Sequence, residues 1–166
     1  EFAQRVNGGE TTANAVLTAD IDLSEICSEE EGDSWTPIGN SKSTAYNGTF
    51  DGNGKTISGL YINNSSFSRG LFGYVSSSGK VQNLSVSGSV SGGGLYVGGV
   101  VGWNSSDTVE NCYNIGKVSG TGVGGVVGWN DSGTVKNCYN IGDVSGNYVG
   151  GVVGYNDGSR VENCYN

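Results

Sequence analysis

The sequence predicts an all-β protein, a parallel β-solenoid of about six coils. The strongest observation is a repeat, because the segment Gly98–Asn104 returns as Gly124–Asn130 and again as Gly150–Asn156, each time after 26 residues. A fixed period of this length is typical of solenoids. The repeats are also rich in Val, which suits a pleated surface, and their frequent glycines are incompatible with a helix. Equivalent residues of stacked coils would form columns, with neighbours about 4.8 Å apart.

The chain has 166 residues and 31 glycines but no Met. Its length is that of one domain, so we expect residues 1–166 to form a single β-solenoid domain. Within it we expect a short helical cap at 1–9, irregular first coils at 10–92 and regular 26-residue repeats at 93–166. The missing Met indicates a mature segment or an excerpt, and we therefore expect a fragment of a longer protein.

Charge and residue usage argue against several classes of function. The net charge is −8, whereas nucleic acids and anionic membranes need a basic face, so neither is an expected partner. No run of residues approaches the ~18 apolar positions that cross a membrane, so we expect no membrane insertion. His is absent, which removes Ser–His and Cys–His catalysis and His-ligated metals. We therefore expect no catalytic residues, no cofactor and no metal site.

The first predicted elements are a helix and a strand. Glu1–Gly9 is predicted to be helical, because Phe2 and Val6 share one face and the glycines at its end are typical stop residues. Such a helix would cover the open end of the first coil. Val16–Leu23 is predicted to be a strand whose alternate apolar residues face the core. These inward residues are Leu17, Ala19, Ile21 and Leu23.

The acidic segment Ser24–Ser34 follows this strand. Clustered carboxylates can bind Ca²⁺, but the spacing here matches no calcium-loop pattern, so a solvated surface loop is the favoured interpretation. Cys27, inside this segment, has no evident partner. Asp20 and Asp22 project to one side of the preceding strand, about 6.6 Å apart, which is compatible with glycoside hydrolysis. Such pairs are common on strands, however, and catalysis is not the favoured interpretation.

The middle of the chain contains imperfect copies of the repeat. Phe50–Gly54 is predicted to be a tight turn, because Gly and Asn supply positive φ angles, and Thr56–Ile62 is predicted to be a strand. Gly70–Val75 is similar to the Gly-Val-Val-Gly-Trp stretch of the later repeats, and Val81–Val86 is similar to Val109–Asn114. The first coils are therefore expected to be less regular than the last ones.

Each regular repeat has room for three short strands. In the second repeat we predict these strands at Gly125–Trp129, Thr134–Tyr139 and Ile141–Ser145. The predicted core columns are Val109, Val135 and Val161; Val118 and Val144; and Ile115 and Ile141. In the earlier coils, Ile57 and Leu60 are predicted to lie one coil before Val81 and Leu84.

Three of the four cysteines occupy one position of the repeat, namely Cys112, Cys138 and Cys164. Stacked about 4.8 Å apart, they would lie within the Cα range of a disulfide, so a cross-coil disulfide and a soft-metal site are two alternatives. The favoured interpretation is a column of small buried hydrophobic residues, which free cysteines resemble. Leu84 holds the equivalent place one coil earlier, which favours an apolar site.

Two asparagine columns are also predicted. The first contains Asn111, Asn137 and Asn163, and the second contains Asn114, Asn140 and Asn166. Stacked amides can hydrogen-bond from one coil to the next, and Asn tolerates turn conformations. Both properties are structural, so we predict no ligand at these columns.

Two aromatic columns carry the main functional hypothesis. The first contains Trp103, Trp129 and Tyr155, with Tyr74 as an earlier member, and the second contains Tyr113, Tyr139 and Tyr165. An exposed aromatic ladder could stack on the sugar rings of a host glycan or bind a host protein. The alternative is that these rings stack on one another at corners of the coil, as aromatic side chains do.

The order of these motifs resembles one known family. Val16–Leu23, Trp35–Gly39, Gly48–Gly54 and Gly70–Gly73 are similar to the N-terminal coils of bacterial surface proteins that carry GLUG repeats. The Gly-Gly-Val-Val-Gly-Trp/Tyr-Asn and Val-x-Asn-Cys-Tyr-Asn units resemble the GLUG repeats themselves. The resemblance implies a right-handed parallel β-helix in a secreted or wall-anchored protein, used as a stalk or an adhesive surface. Such repeats also lie beside the catalytic part of some IgA-cleaving metallopeptidases, but the resemblance supplies no catalytic residues.

Three functional hypotheses follow. The favoured one is a non-catalytic segment of a bacterial surface protein that acts as an adhesin surface or a rigid stalk. The second is an accessory domain of a secreted hydrolase, such as an IgA-cleaving metallopeptidase. The third is a self-associating filament subunit, because the last coil would leave an open backbone edge.

Overall fold

The computed structural model describes residues 1–166, and these form a nearly all-β parallel solenoid. One short helix, α1 (Phe2–Asn7), precedes the strands, and a single 3-10 turn spans Lys42–Thr44. The strands in chain order are β1 (Ala15–Val16), β2 (Ile21–Asp22), β3 (Thr49–Asn63), β4 (Phe72–Ser76), β5 (Lys80–Ser91), β6 (Leu95–Gly98), β7 (Val101–Ser105), β8 (Thr108–Glu110), β9 (Tyr113–Asn114), β10 (Lys117–Gly124), β11 (Val127–Asp131), β12 (Thr134–Lys136), β13 (Tyr139–Asn140), β14 (Val144–Gly150), β15 (Val153–Asp157) and β16 (Arg160–Glu162).

All pairs between these strands are parallel, as a solenoid requires. One face stacks in the order β1-β3-β5-β8-β12-β16, and a separate four-stranded sheet stacks in the order β4-β7-β11-β15. In that sheet Phe72 pairs with Val101, Val101 with Val127 and Val127 with Val153, so the repeat averages about 27 residues. The backbone register therefore confirms the predicted fold class.

The number of turns is smaller than predicted. The four-stranded sheet marks about four turns, not six. The first level is incomplete because β1 and β2 have two residues each and the rest of that level joins its neighbour through isolated bridges, such as Ile38 to Phe72. At the other end, β15 and β16 extend both sheets, and Tyr165 joins Tyr139 through an isolated bridge. The first coil was counted as a full turn, although most of its residues lie outside strands.

The predicted N-terminal helix is present. Val6 is fully buried, and the Phe2 ring lies 5.9 Å from that of Tyr46 and 5.7 Å from that of Phe50, measured between centroids. The shared face of Phe2 and Val6 therefore packs on the first coils. The helix covers Phe2–Asn7 and not the full predicted range.

The predicted strand Val16–Leu23 is wrong in its middle. The chain bends at Thr18 and Ala19, so only β1 and β2 are extended. Leu17 and Leu23 are buried as expected, but Ala19 and Ile21 are exposed because the bend interrupts the alternation.

The predicted turn at Phe50–Gly54 lies inside the long strand β3. Asn53 and Gly54 have φ angles of 51° and 71°, as expected of turn residues, and they shift the register against β5. As a result Phe50 pairs with Val81, and Ile57 pairs with Val86. The predicted alignment of Ile57 with Val81 and of Leu60 with Leu84 is therefore wrong.

The strands of the regular repeat are shifted from their predicted bounds. The first is β11 and begins at Val127, the second is divided into β12 and β13, and the third is β14 and begins at Val144. The division has a local cause, because Asn137 adopts a left-handed φ of 52° between the two pieces. Asn137 therefore interrupts the extended backbone between β12 and β13, and its side chain still hydrogen-bonds to Asn111 and Asn163.

The core is a stack of aliphatic side chains inside the coils. Val109, Val135 and Val118 are fully or almost fully buried, as predicted, whereas Val161, the last member of its predicted column, is 41% exposed. The predicted column of Ile115 and Ile141 is wrong, since both side chains are exposed, Ile141 by 70%. The preceding asparagines, Asn114 and Asn140, take the inward positions instead, which directs the next residue of each extended segment outward.

Candidate functional site

The first aromatic column runs along the four-stranded sheet. Tyr74 is paired with Trp103, Trp103 with Trp129 and Trp129 with Tyr155, at equivalent positions of β4, β7, β11 and β15. The two indole rings are stacked, with centroids 4.2 Å apart and planes inclined by 22°. The ring centroid of Tyr74 lies 5.5 Å from that of Trp103, and the ring centroid of Tyr155 lies 6.1 Å from that of Trp129 in an edge-to-face arrangement.

Neighbouring side chains cover much of this column. Lys42 Nζ lies 4.3 Å from the centroid of the Trp103 ring, a cation–π geometry. The indole N–H groups of Trp103 and Trp129 are buried and have no hydrogen-bond partner. Each indole therefore has one face covered by the other indole, and both N–H groups are enclosed.

The second aromatic column is even more regular. The rings of Tyr113 and Tyr139 are 4.6 Å apart with planes 5° from parallel, and those of Tyr139 and Tyr165 are 5.0 Å apart at 4°. Tyr165, at the last level, is exposed by 63%. Face-to-face stacking thus joins three successive levels of the solenoid.

A further tyrosine, Tyr96, joins the first column and was not predicted. Its ring lies 4.5 Å from that of Trp129, 6.1 Å from that of Trp103 and 5.2 Å from that of Phe67. Tyr96 adopts a left-handed φ of 55°. The sequence contains a signal for this position, because Tyr148 follows 52 residues later, which is twice the repeat.

The two predicted asparagine columns form hydrogen-bonded ladders. On the surface, each Nδ2 of Asn111, Asn137 and Asn163 donates to the Oδ1 one level earlier, beginning at Asn83, over 2.9–3.3 Å. These four residues have left-handed φ angles of 50–55°. In the second column the direction is reversed, because Asn114 donates to Asn140 and Asn140 donates to Asn166, each over 2.7 Å.

A third asparagine ladder was missed. Asn104 Nδ2 donates to Asn130 Oδ1 over 2.8 Å, and Asn130 Nδ2 donates to Asn156 Oδ1 over 2.9 Å. Asn104 and Asn130 are fully buried. The signal was present in the sequence, because these residues close the repeated Gly-Gly-Val-Val-Gly-Trp/Tyr-Asn unit.

All four cysteines are free thiols. Cys112 and Cys138 are fully buried, and each thiol donates to a carbonyl two residues earlier, that of Glu110 at 3.3 Å and that of Lys136 at 3.2 Å. Cys164 is partly exposed and donates to the carbonyl of Glu162 at 3.1 Å. Cys27 is also buried, beside the carbonyls of Leu23 and Gly59.

Leu84 aligns with Cys112, because the next residues, Ser85 and Tyr113, are paired. Leu84 is fully buried. This position therefore has an apolar environment one level before the first cysteine, as the sequence indicated.

Two buried charged residues were not recognised in the sequence. Arg69 is fully buried and donates to the carbonyls of Asn64, Gly92 and Gly94 over 2.5, 3.1 and 3.2 Å. Burial lowers the pKa of Arg69. Asp107 is also buried; desolvation raises its pKa to about 6, although hydrogen bonds from backbone N–H groups act in the opposite direction.

Asp20 and Asp22 both accept hydrogen bonds from backbone N–H groups. Asp20 accepts a hydrogen bond from the Thr56 N–H over 2.8 Å, and Asp22 accepts one from the Ser24 N–H over 2.9 Å. No group of three or more Cys, Asp or Glu side chains is arranged to hold a metal ion. No helix is long and apolar enough to cross a membrane.

Comparisons with known proteins agree with the repeat pattern. A protein-family model of the GLUG motif matches residues 93–119, 119–145 and 145–166. The chain is 38% identical over 107 residues to "Halomucin" of Haloquadratum walsbyi and 35% identical over 99 residues to "Putative Gly-rich membrane protein" of Evansella cellulosilytica. These alignments cover 63% and 57% of this chain, but only 1% and 11% of the two relatives.

A solved structure has a similar fold. It is a crystal structure of "a putative immunoglobulin A1 protease" from Bacteroides ovatus, with a TM-score of 0.62 and 18% sequence identity. The similarity covers 98% of this chain and 73% of that one. Three successive matches to one motif and stacked coils in the corresponding register lead to the same conclusion: residues 93–166 of this chain are GLUG repeats.

Proposed function

We propose that this chain is a rigid, non-catalytic stalk segment of a longer surface protein. The observation that carries the proposal is the direction of its side-chain contacts. Asn104 to Asn130, Trp103 to Trp129 and Tyr113 to Tyr139 all join one coil to the next along the solenoid axis. Such contacts resist bending and shear between coils, which is what a spacer needs.

The relatives support the same proposal. The chain spans 1% of one relative and 11% of another, which is the proportion expected of a repeated segment in a long protein. The names of these relatives, a mucin-like name and a membrane protein, favour a location at the cell surface. The one acidic pair that was a candidate for catalysis favours a non-catalytic role, since Asp20 and Asp22 both accept backbone hydrogen bonds.

Small-angle scattering of lengthened proteins tests the stalk. Four additional copies of residues 119–144, inserted in tandem after residue 144, keep the register of every column. Each coil adds about 4.8 Å, so we expect the maximum dimension to increase by about 19 Å, with the profile of a straight rod.

The control carries a Gly/Ser linker of equal length in place of the four copies. It should give the scattering of a flexible chain. A lengthened protein whose maximum dimension increases by much less than about 19 Å, or that scatters like the linker control, would contradict the proposed rigidity.

A second candidate function is an accessory segment of a secreted hydrolase. It is favoured by the fold shared with the Bacteroides ovatus protein. In this role the solenoid would position a catalytic part that lies outside these residues. Removing residues 93–166 from the full-length protein should then lower cleavage of IgA1 while leaving cleavage of a short peptide unchanged. Cleavage of IgA1 at the rate of the intact protein would argue against this role.

A further inference from the structure

We propose that a cleft between Tyr96 and Tyr148 binds a neutral sugar ring of a glycan. The cleft has a volume of about 280 Å³. Its lining residues are Leu95, Tyr96, Thr121, Gly122, Tyr148 and Tyr155. The site is distinct from the stacking contacts that carry the stalk proposal, and it would add recognition to a rigid segment.

The cleft exists because one side chain is missing from a column. Thr121 pairs with Leu95 in the level before and with Asn147 in the level after, so Tyr96, Gly122 and Tyr148 occupy equivalent positions. Two coil spacings separate the backbones of the two tyrosines by about 9.6 Å. The middle level has no side chain, so the Tyr96 ring lies over Gly122, where a Cβ would be 3.2 Å from Tyr96 Cδ1, and the cleft opens between this ring and Tyr148.

The backbone does not require glycine at the gap. Gly122 has a left-handed φ of 61°, but Tyr96 and Tyr148 adopt 55° and 53° at the same position. A Cβ on Gly122 would have its closest contact with Tyr96 Cδ1, at 3.2 Å, which a small shift of that ring relieves. Since a tyrosine is accommodated one level before and one level after, the absence of a side chain here creates space.

The walls of the cleft are aromatic and aliphatic side chains that reach the surface. Leu95 is 39% exposed, and Tyr148 and Tyr155, on the last coil, are 78% and 51% exposed, while Tyr96 is half-buried. A cluster of exposed aromatic and aliphatic side chains on a soluble surface marks a binding site.

The chemistry of the lining favours a neutral sugar. No Lys, Arg, Asp or Glu is among the lining residues, so nothing in the cleft would compensate the charge of an ionic ligand. The tyrosines supply apolar ring faces and hydroxyl groups, and Thr121 supplies a further hydroxyl. A hexose has the same two features, an apolar C–H face and a rim of hydroxyls. The volume is below that of sites for drug-sized ligands, which suits one ring of a chain.

Filling the gap tests the proposal. The probes are neutral oligosaccharides ending in glucose, galactose, mannose or N-acetylglucosamine, with a sialylated oligosaccharide and a tryptophan-containing peptide for comparison. We expect at least one neutral glycan to bind to the intact chain by calorimetry or NMR titration. Gly122→Tyr should weaken that binding at least tenfold, because it completes the column.

Two other variants keep the test decisive if Gly122→Tyr does not fold. Tyr148→Asn removes one wall while keeping a residue that favours left-handed φ, and it should also weaken binding at least tenfold. Tyr165→Ala removes another exposed tyrosine, which does not line the cleft, and should leave the affinity unchanged. No binding of any neutral glycan, equal binding by Tyr148→Asn, or a preference for the sialylated probe or the peptide would overturn the proposal. None of these results depends on the scattering series that tests the stalk.

Discussion

The side-chain amides of Asn104 and Asn130 are joined by a hydrogen bond of 2.8 Å inside the solenoid, where both residues are fully buried. Asn130 Nδ2 donates in turn to Asn156 Oδ1, and it also contacts the carbonyls of Gly133 and Arg160 over 3.4 and 3.3 Å. The ladder therefore connects neighbouring coils and also binds the backbone that follows the strand. A buried amide in this position is costly unless its partners are present.

Replacing Asn130 with Ala should lower the free energy of unfolding by about 2–4 kcal/mol. The variant loses at least two hydrogen bonds and leaves one N–H of the Asn104 amide without an acceptor, although that amide keeps its hydrogen bond to the Asp107 carbonyl. Urea unfolding followed by circular dichroism measures the change. The matched control is Asn137→Gly in the exposed ladder, where Gly tolerates the left-handed φ of 52° and the loss should stay below about 1 kcal/mol. Equal losses in both variants would show that burial does not set the strength of these ladders.

The indole pair should also contribute to stability. Trp129 contacts the rings of Trp103, Tyr96 and Tyr155, so Trp129→Ala should destabilise the protein by about 2–3 kcal/mol. Two stacked indoles 4.2 Å apart should also give a coupled signal in the circular dichroism spectrum, which the variant loses. Tyr165→Ala serves as a control, with an expected loss below about 1 kcal/mol because its side chain is mostly exposed. An unchanged spectrum in Trp129→Ala would contradict the stacked geometry.

The sequence allows the register of the regular coils to be predicted, because the constant offset of 26 residues shows which residues pair between neighbouring coils. Trp103 must lie beside Trp129 once the coils stack in parallel. The first coils cannot be predicted this way, since the left-handed pair Asn53 and Gly54 shifts the register of β3 by an amount that no periodicity reveals. Arg69 was missed for a related reason: its three acceptors are backbone carbonyls, which no sequence motif encodes.

The cleft between Tyr96 and Tyr148 could be predicted only in part from the sequence. Periodicity alone places Gly122 between the two tyrosines. It does not show that all three residues share a left-handed backbone, and that fact makes the glycine a missing side chain and not a conformational necessity. The φ angles of the folded chain are needed to distinguish a missing side chain from a glycine that the backbone requires.

The four thiols should differ strongly in reactivity. Cys27, Cys112 and Cys138 are buried, whereas Cys164 is partly exposed. A hydrogen bond with Cys138, together with burial, raises the pKa of Cys164, so even this thiol should react slowly at neutral pH. With an aromatic disulfide reagent on the native protein we expect one thiol to react, and the other three only after unfolding. Cys164→Ser should remove the single native reaction. Fewer than four thiols in the unfolded, unreduced protein would instead indicate a disulfide.

Asp107 and Glu110 should give the stability opposite dependences on pH. The pKa of Asp107 is raised from 3.8 to about 6 by burial, so the folded state holds this proton more tightly than the unfolded state. The free energy of unfolding should therefore fall by about 1–3 kcal/mol as the pH rises from about 4 to about 6. Asp107→Asn removes this dependence, so its stability relative to the natural chain should improve between pH 4 and pH 7.

Glu110 is the matched comparison, because it lies three residues later and contacts Lys80 and Lys136 from two neighbouring coils. Burial raises the pKa of Glu110, but the hydrogen bonds from Lys136 and Lys80 outweigh it and keep this pKa below its usual range. The stability that Glu110 gains from its two lysine partners is present above about pH 4.5 and is lost as the pH falls through the lowered pKa. Glu110→Gln should thus destabilise by about 1 kcal/mol at pH 7 and by less at pH 3. The stability of Asp107→Asn relative to the natural chain should therefore rise with pH, and that of Glu110→Gln should fall. If both fell with pH, burial would not raise the pKa of Asp107.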